Sequence, residues 1–537
     1  MVSSQVFPVE DASSLTEAGL DTALQYREYQ TDIASEAAKS NTLVILPTGL
    51  GKTIIAILVA KERLNGPDNW LKNRRVLVLA PTKPLVLQHR ESFFRAFNSV
   101  PPFYQVSEFV VLTGESSHEQ RLRFWEGNGG TFLFATPETV ANDLELAGEK
   151  SILEDFVLIV FDEAHRAVKE YAYTEIARRY VGAKPSDPLI LGLTASPGSS
   201  REKIEEIKGN LFIQKVASRN EEDADVSPYV EETTTEAIRV RLSDEYEGSL
   251  ISPLKVVFEE KIGKLRKLGL VPRAGNLVSK KILIGARETI LARMKKQRSR
   301  MYLFNALFVQ AQAVMILHAI EVAETQGAYT LTRYFERMRE NPDQGRATKS
   351  LLKDERWMRV EASTKKAVRS DLFPKFELLS TLVSEQLERK STSKIIIFSQ
   401  YRDTIEEIVG KLLLVSPTIR PHKFVGQSSK GEQDKGMSQK IQGEILERFR
   451  TGTEFNVLVS SSIGEEGLHI PDVDLVVFYE AVPSEIRSIQ RKGRTGRTMP
   501  GRVVILLAEG TVDEAYYFST LAKEKKMKSL VVKASEV

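Results

Sequence analysis

Between residues 40 and 200 the chain alternates short unbroken apolar runs with longer amphipathic stretches. The runs are Leu43–Leu46, Val76–Ala80, Phe109–Leu112, Phe132–Ala135, Val157–Phe161 and Leu189–Leu193. They lack period-two alternation, so each is expected to be a strand buried on both faces, as in a parallel sheet covered by helices. The same texture returns after residue 390 in Lys394–Ser399, Val457–Ser460, Leu475–Tyr479 and Val503–Ala508. Two α/β domains follow from this pattern. From about 230 to 375 few runs resemble buried strands, and Leu254–Leu268, Ile282–Arg300, Met301–Val322 and Leu331–Arg339 read as helices. Turn chemistry at Ser196-Pro197-Gly198-Ser199-Ser200 and at Phe373-Pro374 sets the expected divisions near 1–205, 206–375 and 376–537.

Composition narrows the chemistry. The longest uncharged stretch, Met301 to Ile320, could span a bilayer by length. Asn305, Gln310, Gln312 and His318 interrupt it, and a buried core helix is expected. The N-terminus has neither a basic start nor an apolar run, so no signal peptide is expected. The sequence contains no cysteine, which excludes disulfides, thiolate zinc sites, iron–sulfur clusters and cysteine nucleophiles. Its six histidines never fall at metal-ligand spacing. A metal here is expected to be a hard, oxygen-bound ion such as magnesium on a nucleotide, and an intracellular location fits.

Net charge is only +3, but it is unevenly spread. Between Arg239 and Lys375, 28 Lys and Arg stand against 15 Asp and Glu, a net of +13 that leaves the rest of the chain at −10. Such asymmetry points the middle segment at a polyanion, against the plainer reading of a solvated helical surface.

Three segments carry candidate chemistry. Pro47-Thr48-Gly49-Leu50-Gly51-Lys52-Thr53 follows an apolar run and opens an amphipathic segment. Glycines there let backbone N–H groups close around phosphates at a helix N-terminus. Lys52 would reach the β- and γ-phosphates and the Thr53 hydroxyl would ligate magnesium. Leu46 stands where the general pattern has its first glycine. Asp162 and Glu163, at the end of the run Val157–Phe161, supply one carboxylate for magnesium and one to polarise the attacking water. His165 reads as a link between nucleotide and cleft. Near the C-terminus, Gln490-Arg491-Lys492-Gly493-Arg494-Thr495-Gly496-Arg497 places Arg494 and Arg497 three apart around two glycines. Guanidinium groups stabilise charge on a transferring phosphoryl group, so this loop reads as an arginine finger delivered across the cleft by domain closure.

These segments, with APTKPLV (80–86), TGE (113–115), TPET (136–139), LTASPG (193–198), IIIFSQYRDT (395–404), FVGQ (424–427) and the run from Ser462 to Arg497, resemble superfamily-2 helicases of the DEAH-containing kind over nearly the whole chain. The nearest likeness is to the archaeal Hef helicase and the Fanconi anaemia M translocases. The resemblance implies two RecA-like domains with a thumb-like, all-helical insertion between them. It implies that Gln30 reads the adenine edge, with Arg27 stacking on the base, and that Gln490 joins the catalytic set. Thr194 and Ser196 would couple hydrolysis to strand movement. Pro81, Thr82, Lys83, Thr113, Gly114, Thr136 and Pro137 would contact the nucleic-acid backbone from the first motor. Ser399, Gln400, Gln427, Ser461 and Ser462 would do so from the second. Small residues, hydroxyls and loop amides suit phosphate contacts that do not read sequence. One departure stands out: His469 occupies the place of an aspartate that contacts the nucleotide ribose, with Asp472 nearby as a substitute.

The basic insertion would grip duplex or branched DNA. Its candidate surfaces are Arg293, Lys295, Lys296, Arg298 and Arg300, and the aromatic-basic stretch around Arg333 and Arg337. The function implied is an ATP- and magnesium-dependent DNA helicase or translocase of 3′-to-5′ polarity, acting on forks and Holliday junctions in repair and fork restart. The alternatives are a duplex-RNA-activated ATPase and an ATP-regulated junction scaffold. Hef-like chains usually continue into a nuclease, and no nuclease motif is found from Glu514 to Val537, where Leu521–Lys528 reads as a basic helix.

Overall fold

The computed structural model describes residues 26–64, 74–98, 109–126, 131–148, 152–183, 187–272, 278–296, 301–427, 436–452, 454–461, 470–495 and 500–535. Two all-parallel sheets organise them. The first holds β1 (Thr42–Ile45), β2 (Arg75–Leu79), β3 (Phe109–Leu112), β4 (Phe132–Ala135), β5 (Phe156–Asp162), β6 (Ile190–Thr194) and β7 (Lys215–Ser218), in the order β3-β4-β2-β5-β6-β1-β7. The second holds β8 (Thr233–Val240), β9 (Ile395–Phe398), β10 (Pro421–Phe424), β11 (Val457–Ser460), β12 (Leu475–Phe478) and β13 (Gly501–Ala508), in the order β10-β11-β9-β12-β13-β8. Strands β1, β2, β4, β5, β6, β9, β11 and β12 are buried at every position, as the unbroken apolar runs require.

Three strands escaped the apolar pattern, and β8 changes how the domains divide. Its sequence TTTEAIRV is polar and largely exposed, as an edge strand can be, yet it pairs with β13 along eight residues. The chain therefore joins the second sheet before the helical insertion begins. Residues 215–218, assigned to the insertion from turn chemistry, complete the edge of the first sheet beside β1. The helical bundle leaves β8 and returns through the Lys375–Arg389 helix into β9.

Packing follows the same division. One continuous apolar cluster runs from Leu254, Leu331 and Trp357 of the insertion through Phe373 to Ile395, Val457 and Leu475 of the second sheet. The two faces of the first sheet bury separate clusters. Insertion and second domain thus share one core. The Met301–Thr325 helix is long and apolar enough to cross a membrane by length and composition, and half of its most apolar window is buried. Leu303, Ala306, Ala313, Ile316 and Ala319 pack in the shared core, while Met301 is 82% exposed at its start. The Val512–Ser535 helix absorbs the stretch read as basic and reaches back to the first domain, where Val531 packs on its core and Lys528 meets Glu222.

Candidate functional site

The carboxyl ends of β1, β5 and β6, which are neighbours in the first sheet, bring three motifs together. In open parallel sheets this edge is where ligands bind. After β1 the chain turns through Gly49 (φ +88°) and Gly51 (φ +81°) into the Lys52–Leu64 helix. Both glycines sit in the left-handed region that side chains disfavour, so the loop is shaped by them. Lys52 Nζ donates to the carbonyls of Leu46 (2.9 Å) and Pro47 (3.2 Å), folding back over the loop it serves.

Gln30 braces this loop from outside. It is 3% exposed; its Oε1 accepts from the Arg27 N–H (3.1 Å) and its Nε2 donates to the Leu50 carbonyl (3.1 Å). Tyr29 Oη donates to the same carbonyl (2.8 Å). The Arg27 guanidinium lies 4.9 Å over the Tyr229 ring. The residues that the resemblance assigns to the adenine edge (Gln30) and to stacking on the base (Arg27) thus stand beside the phosphate loop with these partners. Both amide atoms of Gln30 are engaged with the loop and its own helix cap, and Arg27 is already stacked on an aromatic from beyond β7.

Asp162 ends β5 and is 8% exposed. Its Oδ2 lies 2.8 Å from His89 Nε2, and its main-chain carbonyl accepts from Tyr173 Oη (2.6 Å). Burial opposes its charge, yet His89 and Lys52 together hold its carboxyl below the usual carboxylate range. His89 was missed in the sequence, where it sits unremarkably in the Lys83–Asn98 helix. Its nearness to Asp162 is a tertiary fact.

Glu163 follows at φ +50°, a strained setting for a non-glycine residue. His165 Nδ1 lies 3.3 Å from Glu163 Oε2 and 3.2 Å from Thr194 Oγ1, which also accepts from the Ser196 N–H (3.1 Å). His165, Thr194 and Ser196 thus form one chain from the acidic pair to the loop after β6. Asp162 and Thr53 offer a carboxylate and a hydroxyl, a hard donor set that fits magnesium if phosphate oxygens and water supply the rest.

The second domain meets this site directly. Ser484 caps the Glu485–Lys492 helix, and Ser199 Oγ of the first domain donates to Glu485 Oε1 (2.9 Å). At its end, a Cβ placed on Gly493 would lie 1.7 Å from Thr48 Oγ1, so the two domains touch at the phosphate loop. Gln490, Arg491 and Arg494 are all buried. Arg491 packs 4.9 and 5.3 Å from the rings of Phe398 and Phe478 and seats the helix in its own domain. Arg497, Ser462 and His469 lie outside the described residues, and Asp472 is half-buried.

The backbone-contact candidates line two matching ledges. Pro81–Lys83, Thr113–Gly114 and Thr136–Pro137 follow β2, β3 and β4, and Ser399–Gln400, Gln427 and Ser461 follow β9, β10 and β11; each trio of strands is adjacent in its sheet. Lys83 pairs with Glu115 between two of these loops. Ser399 departs from expectation: it is fully buried and its hydroxyl donates to Gln326 Oε1 (3.2 Å), so it supports the ledge from behind.

The candidate basic residues of the insertion fall into two groups. Arg337 makes a bidentate pair with Asp403 (2.8 and 2.7 Å), Arg333 pairs with Glu336 (2.7 Å), and Arg339 with Glu361. Phe335 is fully buried. Arg337 thus ties the insertion to the second domain, and Arg333, Arg337 and Arg339 each carry an acidic partner while 36–47% of their side chains stay exposed. Arg293 and Lys295, at the end of the Lys280–Lys296 helix, remain a basic surface, with Arg293 donating to the Leu268 carbonyl (3.3 Å). Arg298, Arg300 and the Lys296 side chain lie outside the described residues.

Comparison with known proteins covers the same ground. The chain matches the "DEAD/DEAH box helicase" family over residues 27–204, the "Helicase conserved C-terminal domain" over 374–499, and "Putative ATP-dependent RNA helicase, helical bundle" over 250–371. It is 37% identical over 509 residues to a Methanocaldococcus jannaschii protein named a putative ATP-dependent RNA helicase, covering 95% of this chain and 61% of that one. It is 34% identical over 517 residues to the ATP-dependent DNA helicase mph1 of Aspergillus fumigatus, covering 91% and 45%. The chain thus spans 61% and 45% of these relatives' lengths. The crystal structure of the Pyrococcus furiosus Hef helicase domain superposes with a TM-score of 0.67 at 45% identity, over 92% of this chain and 98% of that one.

Proposed function

The chain belongs to the ATP-hydrolysing helicases of superfamily 2, close to Hef and FANCM, and from that premise we propose that it moves along DNA and remodels branched substrates such as stalled forks and four-way junctions. The observation that carries this reading is the pairing of one nucleotide cleft with two matching ledges. The carboxyl ends of both sheets present backbone-contact loops, and Gly493 of one domain touches Thr48 of the other. Opening and closing that contact changes the spacing of the ledges, which is what stepping along a strand requires.

In this mechanism Lys52 and the loop amides would bind the phosphates of ATP, and Thr53 and Asp162 would hold magnesium, whose charge would offset that developing on the phosphates. Glu163 orients and deprotonates the attacking water. Arg494 and Arg497, with Gln490, stabilise the transferring group from the second domain. The chain His165–Thr194–Ser196 carries the state of the acidic pair toward the ledges. Arg293 and Lys295 hold DNA phosphates while the motors step, with 3′-to-5′ polarity. The functional division is a first motor and a second motor built as one body with its insertion. Such a protein is DNA-associated and serves repair and fork restart.

A duplex-RNA-activated ATPase is the second reading, favoured by the names of the M. jannaschii relative and of the helical-bundle family. Measuring ATPase rate against single-stranded, duplex, forked and four-way DNA, with duplex RNA alongside, decides between them. The proposal expects forked and four-way DNA to stimulate most. Strongest stimulation by duplex RNA would overturn it.

A further inference from the structure

Glu480 stands two residues past β12 and is 2% exposed. Its Oε1 accepts from the Gln400 backbone N–H (2.8 Å), and its Oε2 from Gln326 Nε2 (3.3 Å). Gln326 sits at the turn joining the Met301–Thr325 and Ala328–Glu340 helices and is fully buried. Its Oε1 accepts from Ser399 Oγ (3.2 Å) and from Thr404 Oγ1 (2.9 Å). The turn is tightly seated: Gly327 has φ +99°, and a Cβ there would lie 2.8 Å from the Phe373 ring. One insertion side chain therefore holds the second ledge, the head of the Arg402–Val415 helix and Glu480 at once.

From Glu480 the link continues to the catalytic loop. Four residues further along, Ser484 begins the Glu485–Lys492 helix that ends at Gly493 and Arg494. Burial raises the Glu480 carboxyl above its ordinary range, and Arg491 of that helix and Lys375 oppose the rise, so these charges act on one another through a dry interior. A buried network of this kind moves as a unit, because displacing one member leaves donors and acceptors unmet where water cannot replace them.

We propose that Gln326 and Glu480 form a relay through which the seating of the helical insertion sets both the Ser399–Gln400 ledge and the helix that delivers Arg494. Gln326 is thus a positioning residue for nucleic-acid-stimulated hydrolysis. This rests on the reading that branched DNA stimulates the ATPase. The insertion acts as a sensor whose engagement with DNA is felt at the nucleotide, in addition to gripping the polymer.

The test uses the full chain and a synthetic four-way junction. Gln326→Leu and Thr404→Val are compared with wild type in ATPase rate with and without junction, in junction affinity and in melting temperature. Gln326→Leu is expected to lower the stimulation factor by about tenfold, within the ordinary range of coupling between sites. Thr404→Val, which keeps the side-chain shape but loses the hydroxyl's two hydrogen bonds, to Gln326 Oε1 (2.9 Å) and to Thr330 Oγ1 (2.8 Å), should lower it by about threefold. Stimulation is read at saturating junction, so that a change of affinity at the ledge does not enter it; unstimulated turnover should stay within about twofold of wild type in both, and a fall in unstimulated turnover equal to that in the stimulated rate would mark a merely structural role and overturn the relay. Wild-type stimulation in either folded variant overturns the relay. Should Gln326→Leu fail to fold, Thr404→Val decides alone. A wild-type chain that no junction stimulates refutes the proposed function instead, so the two failures are distinct.

Discussion

Gly493→Ala tests whether the apposition of the two domains at the phosphate loop is the catalytic geometry. The glycine has φ −68° and ψ 14°, so alanine is conformationally welcome there and costs nothing in backbone strain. The added Cβ would nevertheless lie 1.7 Å from Thr48 Oγ1, 2.9 Å from Thr48 Cβ and 3.3 Å from the Ile489 carbonyl. Rotating the Thr48 hydroxyl relieves the first clash but not the second, which is anchored to the loop. Restoring ordinary van der Waals contact of about 3.4 Å thus asks the cleft walls to part by about 0.5 Å with the hydroxyl turned away, and about 1.7 Å without. Arg494 is the next residue and moves with the wall. A displacement of roughly 1 Å at a reacting centre costs on the order of 100-fold in rate. Turnover at saturating ATP and junction is therefore expected to fall by about 10- to 100-fold. Affinity for a fluorescent ATP analogue should change much less, because the phosphate loop lies wholly in the first domain. Steady-state ATPase, analogue titration and a melting curve provide the three readings. A Gly493→Ala chain that turns over within about threefold of wild type, with normal melting, would show that this apposition is not the geometry of hydrolysis.

Glu163→Gln should abolish most turnover while leaving analogue binding intact, whereas Lys52→Ala should lose binding itself; the same titration and rate assay separate them. Lys375 and Asp513 form a fully buried ion pair, with Lys375 also donating to the Tyr479 carbonyl (2.9 Å). Lys375→Met should destabilise by about 3–5 kcal/mol, and adding Asp513→Asn should recover part of the lost melting temperature by removing the stranded charge. Asp143 is fully buried and accepts from Arg121 (2.7 and 2.6 Å), Trp125 (2.8 Å) and His118 (2.9 Å). Burial opposes its charge, but these donors hold its carboxyl below the usual range. A depressed folded value contributes stability above the unfolded range that is lost as pH falls toward the folded value. Asp143→Asn should accordingly flatten the acid limb of melting temperature against pH. Neutralising Arg293 and Lys295 should flatten the salt dependence of junction binding by roughly one unit of log–log slope for each phosphate no longer held, read from affinity at several salt concentrations.

The apolar runs and the motifs suffice for the inner strands of the two sheets and for the chemistry of their edges. Strands buried on both faces must be apolar at every position, so β1, β2, β4, β5 and β6 announce themselves, as do β9, β11 and β12. A phosphate loop also needs its glycines and lysine in fixed order whatever surrounds them. Ownership and pairing were decided by the tertiary structure. β8 reads as polar because an edge strand has one side in water, and only its eight-residue register with β13 assigns the insertion to the second domain. The local charge pattern shows Arg333 and Arg337 as basic, but only the fold shows the Asp403 partner of Arg337, 66 residues away. The contacts Ser399–Gln326, Gln326–Glu480 and His89–Asp162 carry no local signature, because a hydrogen bond between residues 73 or more positions apart depends on how whole domains pack. Periodicity records whether each side chain faces core or water, but not which distant group it meets there.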